Sequence, residues 1–87
     1  MDSLDWDKVK TFHAAAETGS LTAASELLKI SQSAVSRQIS ALEDSLNTPL
    51  FHRHARGLTL TEQGRILYNT ACEMANKAAL AQASVID

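Results

Sequence analysis

In the first half of the chain, apolar positions recur at intervals of three and four residues, the spacing that places side chains on one face of an α-helix. Three such stretches follow one another, and each begins at a residue able to cap a helix: Asp5, Ser20 and Ser31. The predicted helices span residues 5–18, 21–28 and 32–46. The apolar side chains expected to face a shared core are Trp6, Val9, Phe12, Ala16, Leu21, Ala24, Leu27, Leu28, Val35, Ile39, Leu42 and Leu46.

The ends of these helices are also marked in the sequence. Gly19 and Asn47 stand where a left-handed residue would end the first and third helices, and Pro49 cannot continue a helix. The helical period then gives way to two short apolar segments around a turn at residues 54–57. We therefore predict a β-hairpin at about residues 50–60, which must lie against the helices because an isolated hairpin is only marginally stable.

After the hairpin, Thr61 can cap a long helix that runs to about Ile86 without proline and with only Gly64 in its first turn. Apolar residues on this helix alternate at spacings of four and three, which is the heptad seam of paired helices. Alanine at several of these positions lets two helices approach closely, so we predict a homodimer. The predicted seam is Leu67, Ala71, Met74, Ala78, Ala81 and Val85.

Together these elements predict a mainly α fold with a small β-hairpin, namely a winged helix-turn-helix followed by a long dimerisation helix. We place the winged part at residues 4–61, with the helix-turn-helix motif at about 21–40 and the wing at about 50–60. The long helix then occupies residues 62–87.

The composition adds three constraints. The 87 residues suffice for one small domain, and no apolar run approaches the length of a membrane span. The acidic N-terminus does not resemble a secretory signal, and the single Cys72 suits a reducing compartment, so we expect a cytoplasmic protein. The formal net charge is −2, but residues 29–65 hold five basic and three acidic groups. The middle of the chain is therefore net positive.

The third predicted helix presents a polar face opposite its apolar stripe. In a helix-turn-helix this second helix of the motif enters the major groove of DNA. Gln32 could pair with an adenine, and Arg37 could pair with a guanine or hold a phosphate; such a bidentate pair contributes about 1–3 kcal/mol of base discrimination. The residues predicted to contact DNA from this helix are Ser31, Gln32, Ser33, Ser36 and Arg37, with Ser40 on the same face.

The hairpin is basic and has no acidic residue between Leu50 and Thr61. Arg53 and Arg56, with His54 and the neighbouring His52, would suit the phosphate backbone or a narrow minor groove. An ordinary structural role stays open for both arginines, since Arg56 could be a turn residue and Arg53 could pair with Glu62.

The motifs also resemble a known family, the N-terminal domain of LysR-type transcriptional regulators. The resemblance covers nearly the whole chain and is most specific in Ser31-Gln32-Ser33-Ala34-Val35-Ser36-Arg37-Gln38 and in Pro49-Leu50-Phe51 with Arg53. Ser33 and Asn47 depart from the proline and glycine that are common there. The wing and the Leu4-Asp5-Trp6-Asp7 opening resemble the LsrB- and VtlR-like subgroup.

This resemblance implies a bacterial regulator of transcription that pairs through its long helix and recognises an interrupted palindrome. It further implies tetramers of the full-length protein and a C-terminal effector-binding domain that this chain does not include. The same DNA contacts at Gln32, Ser33, Ser36, Arg37 and the two wing arginines carry over from the family's motif.

Other classes of function find little support in the sequence. A metal site from His52, His54 and Cys72 lacks further ligands at suitable spacing, and no nucleophile motif accompanies a conceivable set of Ser36, His13 and Asp7. We therefore expect no catalytic residue, no metal and no cofactor. Two alternatives stay open: Cys72 as a redox sensor, and a helical interaction module in which the heptad seam is the function.

Overall fold

The computed structural model describes residues 5–86, and it confirms all six predicted elements in their predicted order. The predicted winged part begins at Leu4 and the predicted long helix ends at Asp87. Both of these residues lie outside the described residues. The observed elements are α1 (Trp6–Thr18), α2 (Leu21–Leu28), α3 (Gln32–Leu46), β1 (Phe51–His54), β2 (Gly57–Leu60) and α4 (Glu62–Ile86).

Each of the first three helices begins at the predicted cap. The side chain of Asp5 accepts a hydrogen bond from the backbone N–H of Asp7, and the hydroxyls of Ser20 and Ser31 accept from N–H groups three residues further on, at 3.0 to 3.1 Å. These bonds satisfy donors that have no partner within the helix. The predicted left-handed ends are present as well, at Gly19 (φ 71°) and Asn47 (φ 52°). Lys29 (φ 59°) ends α2 in the same conformation, which the sequence analysis did not anticipate.

The core lies where α1, α2 and α3 meet, and Phe12 is its largest fully buried side chain. The ring of Phe12 packs at 5.2 Å from that of Phe51, which joins the hairpin to the helices. The buried apolar residues are Val9, Phe12, Ala14, Ala15, Ala24, Val35, Ile39, Leu42, Leu50, Phe51 and Ala71.

Three predicted core residues are not in the core. Trp6 is 37% exposed at the first residue of α1, Leu27 is 62% exposed and Leu46 is 38% exposed. Leu27 and Leu28 are neighbours on a helix of only two turns, so they point in different directions, and it is Leu28 that packs against the core. Leu46 is the last residue of α3, where the helix extends past the core it covers.

The hairpin is a two-stranded antiparallel sheet with Phe51 opposite Leu60 and His54 opposite Gly57. Its turn consists of two residues, Ala55 and Arg56. The backbone N–H of Leu58 donates to the carbonyl oxygen of Gly19 at 3.0 Å, which ties the wing to the corner between α1 and α2. Gly57 adopts φ 136° and lies so close to the same carbonyl that a β-carbon would collide with it.

Thr61 and Gly64 join the hairpin to α4. The Thr61 hydroxyl accepts from the N–H of Gly64 at 2.9 Å, as predicted for a cap, and donates to the carbonyl of Pro49 at 2.8 Å. Gly64 is buried against the carbonyl of Leu50, where no β-carbon would fit. The beginning of α4 is therefore fixed to the base of the wing.

The two halves of α4 differ in their surroundings. Leu67 is half-buried against the core and Ala71 is 2% exposed, whereas every side chain at 73–85 is exposed. Leu67 and Ala71 of the predicted seam therefore pack within the chain, which a three-and-four spacing does not distinguish from packing between chains, and the seam itself stays a prediction. No helix among residues 5–86 has the length and apolarity needed to span a bilayer.

Candidate nucleic-acid interface

The beginnings of α2 and α3 and the tip of the wing meet around one cleft on the surface. None of the described residues that line this cleft is acidic. Four of the predicted contact residues line it, although they come from separate parts of the sequence: Gln32, Arg53, His54 and Arg56. The cleft is lined by Ser20, Leu21, Thr22, Gln32, Arg53, His54, Ala55, Arg56, Gly57 and Leu58.

From α3 only Gln32 lines the cleft among the described residues, and the other predicted contact residues of this helix lie outside that lining. Gln32, Ser33 and Arg37 are exposed, as predicted, and Ser36 is half-buried. Ser31 acts as the helix cap, and its hydroxyl also lies 3.4 Å from that of Ser33. The positive end of the helix dipole therefore faces the same side as these small polar side chains, which favours an anion.

Gln32 has a partner that the sequence analysis missed. Its side-chain nitrogen Nε2 donates a hydrogen bond to the hydroxyl of Thr22, on α2, at 3.0 Å. The two residues are ten positions apart, and only the angle between α2 and α3 brings them together. No local pattern in the sequence marks this contact.

The wing reaches α3 through a second hydrogen bond between side chains. Arg53 donates from Nη1 to the hydroxyl of Ser36 at 3.2 Å, so two residues predicted separately as DNA contacts are neighbours. This places Arg53 beside α3 rather than beside Glu62, the alternative partner. His54 contacts the Thr59 hydroxyl across the hairpin at 3.1 Å, and Arg56 is exposed in the turn.

Glu43, also missed as a functional residue, holds the base of the wing. Its carboxylate oxygen Oε2 accepts hydrogen bonds from the backbone N–H groups of Leu50 at 2.7 Å and Phe51 at 3.3 Å. A hydrogen bond to a charged acceptor is stronger than one between neutral groups. The carboxylate therefore fixes where β1 leaves the end of α3.

Two acidic groups at the beginning of α1 lie beside lysines of the same helix. Asp5 pairs with Lys8 at 3.0 Å, and Asp7 lies 3.9 Å from Lys10. The hydrogen bond from Lys8 holds the pKa of the Asp5 carboxyl below its usual value. Because screening limits the reach of a charge to about 10 Å at moderate salt, the local charge around the cleft matters more than the total.

Cys72 lies among titratable side chains of α1 and α4. Its sulfur is 3.4 Å from Nε2 of His13, which is also 3.4 Å from a carboxylate oxygen of Glu17 and stacks on Tyr68. The interaction with the Cys72 sulfur raises the pKa of Tyr68. Within residues 5–86, no three His, Cys, Asp or Glu side chains are placed to hold a metal ion.

The arrangement defines a class of protein. Two helices joined by a tight turn, the second capped and polar on its outer face, and a basic hairpin beside it make up a winged helix-turn-helix. In that class the second helix and the wing present the surface that meets DNA.

Comparison with known proteins identifies the family. Residues 6–65 match the model of the "bacterial regulatory helix-turn-helix protein, lysR family", and the chain belongs to this family. The nitrogen assimilation regulatory protein nac of Escherichia coli K12 is 39% identical over 82 residues, which cover 94% of this chain and 27% of that protein. The chain thus spans about a quarter of the length of this relative.

Solved structures of the family show the same fold with DNA present. The CbnR_DBD–DNA complex aligns with a TM-score of 0.80 at 31% identity, covering 97% of this chain and 100% of that one. The BenM_DBD complex with benA site 1 DNA aligns with a TM-score of 0.88 at 28% identity, covering 94% and 92%. The winged helix-turn-helix fold and the long helix predicted from the sequence are confirmed.

Proposed function

We propose that this chain recognises a specific base sequence in double-stranded DNA as one half of a homodimer. Helix α3 enters the major groove, where Gln32 and Arg37 read base edges while Ser31, Ser33 and Ser36 approach the backbone or the bases. The wing lies on the phosphate backbone or in the adjacent minor groove through Arg53, His54 and Arg56.

The observation that supports this proposal best is the hydrogen bond between Arg53 and Ser36. It joins the wing to the outer face of α3 in the free chain, so both parts of the recognition surface are positioned before DNA arrives. A surface that is already ordered loses less conformational entropy on binding. The related domains with DNA in their structures, CbnR_DBD and BenM_DBD, add independent support for the ligand.

The dimer is proposed from the exposed half of α4. Met74, Ala78, Ala81 and Val85 continue the heptad spacing on a helix segment whose side chains from 73 to 85 are exposed. Two such helices would bury these side chains against each other and hold two α3 helices at a fixed spacing, which implies two half-sites on the DNA. The proposal thus divides the chain in two: residues up to 61 recognise DNA, and the helix from 62 onward pairs the two chains.

For the whole regulator we propose control of transcription in the bacterial cytoplasm, at the nucleoid, without enzymatic activity or a cofactor in this part. A small-molecule effector would act only through a C-terminal domain, and full-length chains would assemble as tetramers. The greater length of the relative nac, of which the match covers 27%, supports a further domain beside this one.

Selection of binding sites from a random pool of DNA duplexes tests the proposal. We expect the 87-residue chain to enrich an interrupted palindrome. Replacing Gln32 or Arg37 with alanine should remove the preference at a particular base pair of each half-site, with a loss of about 1–3 kcal/mol of discrimination. Lys29→Ala is the matched control, because Lys29 is an exposed basic residue outside the cleft.

Two results would contradict the proposal. Selection of no sequence at low salt would exclude sequence recognition, and together with tight self-association it would favour the helical interaction module. An unchanged consensus for both Gln32→Ala and Arg37→Ala would show that α3 does not read the bases.

A further inference from the structure

Thr22 lies at the contact between α2 and the residue proposed to read a base. Its hydroxyl oxygen accepts a hydrogen bond from Nε2 of Gln32 at 3.0 Å, and both side chains are exposed on the surface that faces the cleft. Thr22 is thus placed to determine how the Gln32 amide is turned. It belongs to α2 and not to the helix that enters the groove.

The chemistry of a primary amide leaves room for this partner. To pair with adenine, glutamine accepts from the N6 amino group with Oε1 and donates to N7 with one of its two N–H groups. The second N–H is not needed for that pair. A hydroxyl that accepts from the second N–H can therefore hold the amide while both atoms that read the base stay available.

The orientation of the amide decides which base it matches. The terminal torsion of glutamine is broad and nearly two-fold, so a free amide samples both orientations. Rotation by half a turn exchanges donor and acceptor, and the match to adenine is lost. A hydrogen bond to the Thr22 hydroxyl restrains the amide in the free chain and lowers the entropy lost on binding.

We infer that Thr22 is a positioning residue that determines base specificity through Gln32. The inference rests on the proposed function, in which Gln32 reads a base pair. Thr22 itself need not touch the base, and its effect is confined to the base pair that Gln32 contacts.

The test uses the 87-residue chain and a consensus site taken from the selection described above. The base pair read by Gln32 is the one whose preference disappears in Gln32→Ala. Affinities of wild type, Thr22→Val and Thr22→Ser are measured for that site and for the three duplexes changed at this base pair. Valine keeps the shape of threonine without its hydroxyl, whereas serine retains the hydroxyl.

We expect Thr22→Val to lose roughly three- to tenfold in discrimination at this base pair, the size of one hydrogen bond. Thr22→Ser should retain the wild-type preference. The dependence of affinity on salt should be unchanged in both variants, and Thr22→Val should add nothing to the loss in a Gln32→Ala background. Thermal unfolding verifies that both variants are folded.

Three results would overturn the inference. One is full discrimination in Thr22→Val while Gln32→Ala loses it, which leaves the proposed function intact. Another is an equal loss of affinity for all four duplexes with a flatter salt dependence, which would make Thr22 a phosphate contact. If Gln32→Ala changes no preference, the proposed reading by Gln32 fails and the inference falls with it.

Discussion

Two regions of this chain differ in whether their side chains pack against other elements or are exposed. From Asp5 to Cys72, the elements are tied to one another by buried apolar residues and by hydrogen bonds such as Arg53 to Ser36 and Glu43 to the wing backbone. From 73 to 85, every side chain of α4 is exposed. One chain is therefore enough to bring the residues of the cleft together, whereas the apolar side chains near the end of α4 are exposed in the single chain.

The largest effect should come from removing the ring that joins helices and wing. Phe12 is fully buried against Phe51, so Phe12→Ala should lower the free energy of unfolding by about 3–5 kcal/mol through lost burial and a cavity. Leu27→Ala is the matched control, since this leucine is 62% exposed and should change stability by about 0.5 kcal/mol or less. Urea unfolding at one protein concentration measures both. Equal losses would contradict the observed core.

Substitution of Glu43 tests whether its carboxylate holds the base of the wing. In Glu43→Ala, two backbone N–H groups at the start of β1 lose their acceptor, and we expect a loss of about 1–3 kcal/mol in unfolding free energy. Glu43→Gln keeps an acceptor oxygen and should lose less. The neighbouring exposed Asp44→Ala serves as the control and should be nearly neutral. A Glu43→Ala chain as stable as wild type would show that the carboxylate does not hold the wing.

A substitution in the exposed half of α4 should change the stability of the dimer instead of the folding of the chain. Met74→Lys places a charge in the proposed seam, and we expect dimer dissociation to become about tenfold to a hundredfold easier, the effect of losing an interface residue of this size. Asn76→Lys adds the same charge to the same helix outside the seam and should leave the dimer intact. Analytical ultracentrifugation over a concentration series measures both. Equal weakening by the two lysines would place the contact surface elsewhere.

The smallest effect concerns the first cap. The pKa of Asp5 in the folded chain lies below its ordinary value of 3.8, mainly because of the hydrogen bond from Lys8. Folding therefore favours the carboxylate, and this stabilisation is present above the ordinary pKa and is lost as the pH falls through the folded value. Asp5→Asn should be slightly less stable than wild type near neutral pH and equal to it in acid. Thermal unfolding across a pH series checks this; a difference that persists in acid would rule out the charge as its cause.

The sequence predicted those parts of the fold that depend on near neighbours. Caps at Asp5, Ser20 and Ser31 were predictable because each acts within three residues, and Asn47 because its left-handed conformation ends a helix in a recognisable way. The spacing of apolar residues predicted where helices lie. It did not predict which positions at a helix edge are covered, and for this reason Leu27 was wrongly placed in the core.

Four of the predicted contact residues lie around one cleft, but the hydrogen bonds that join the elements there were not predictable. Thr22 to Gln32, Arg53 to Ser36 and Glu43 to the wing join residues seven to seventeen positions apart in different elements. Such contacts depend on the angles between helices, which no short pattern encodes. For the same reason, the spacing of apolar residues did not predict that Ala71, which was assigned to the heptad seam, is buried within the chain.

Titration of a duplex with this chain over a series of salt concentrations tests the central claim that the cleft surface meets DNA. Affinity should fall steeply with salt, with a logarithmic slope of about −0.9 per neutralised phosphate. Arg53→Ala and Arg56→Ala should each weaken binding to all sequences and flatten the slope by about one phosphate. Arg65→Ala, an exposed arginine of α4 outside the cleft, should leave the slope unchanged. Absence of binding at low salt, or slopes that do not distinguish the wing arginines from Arg65, would contradict the account.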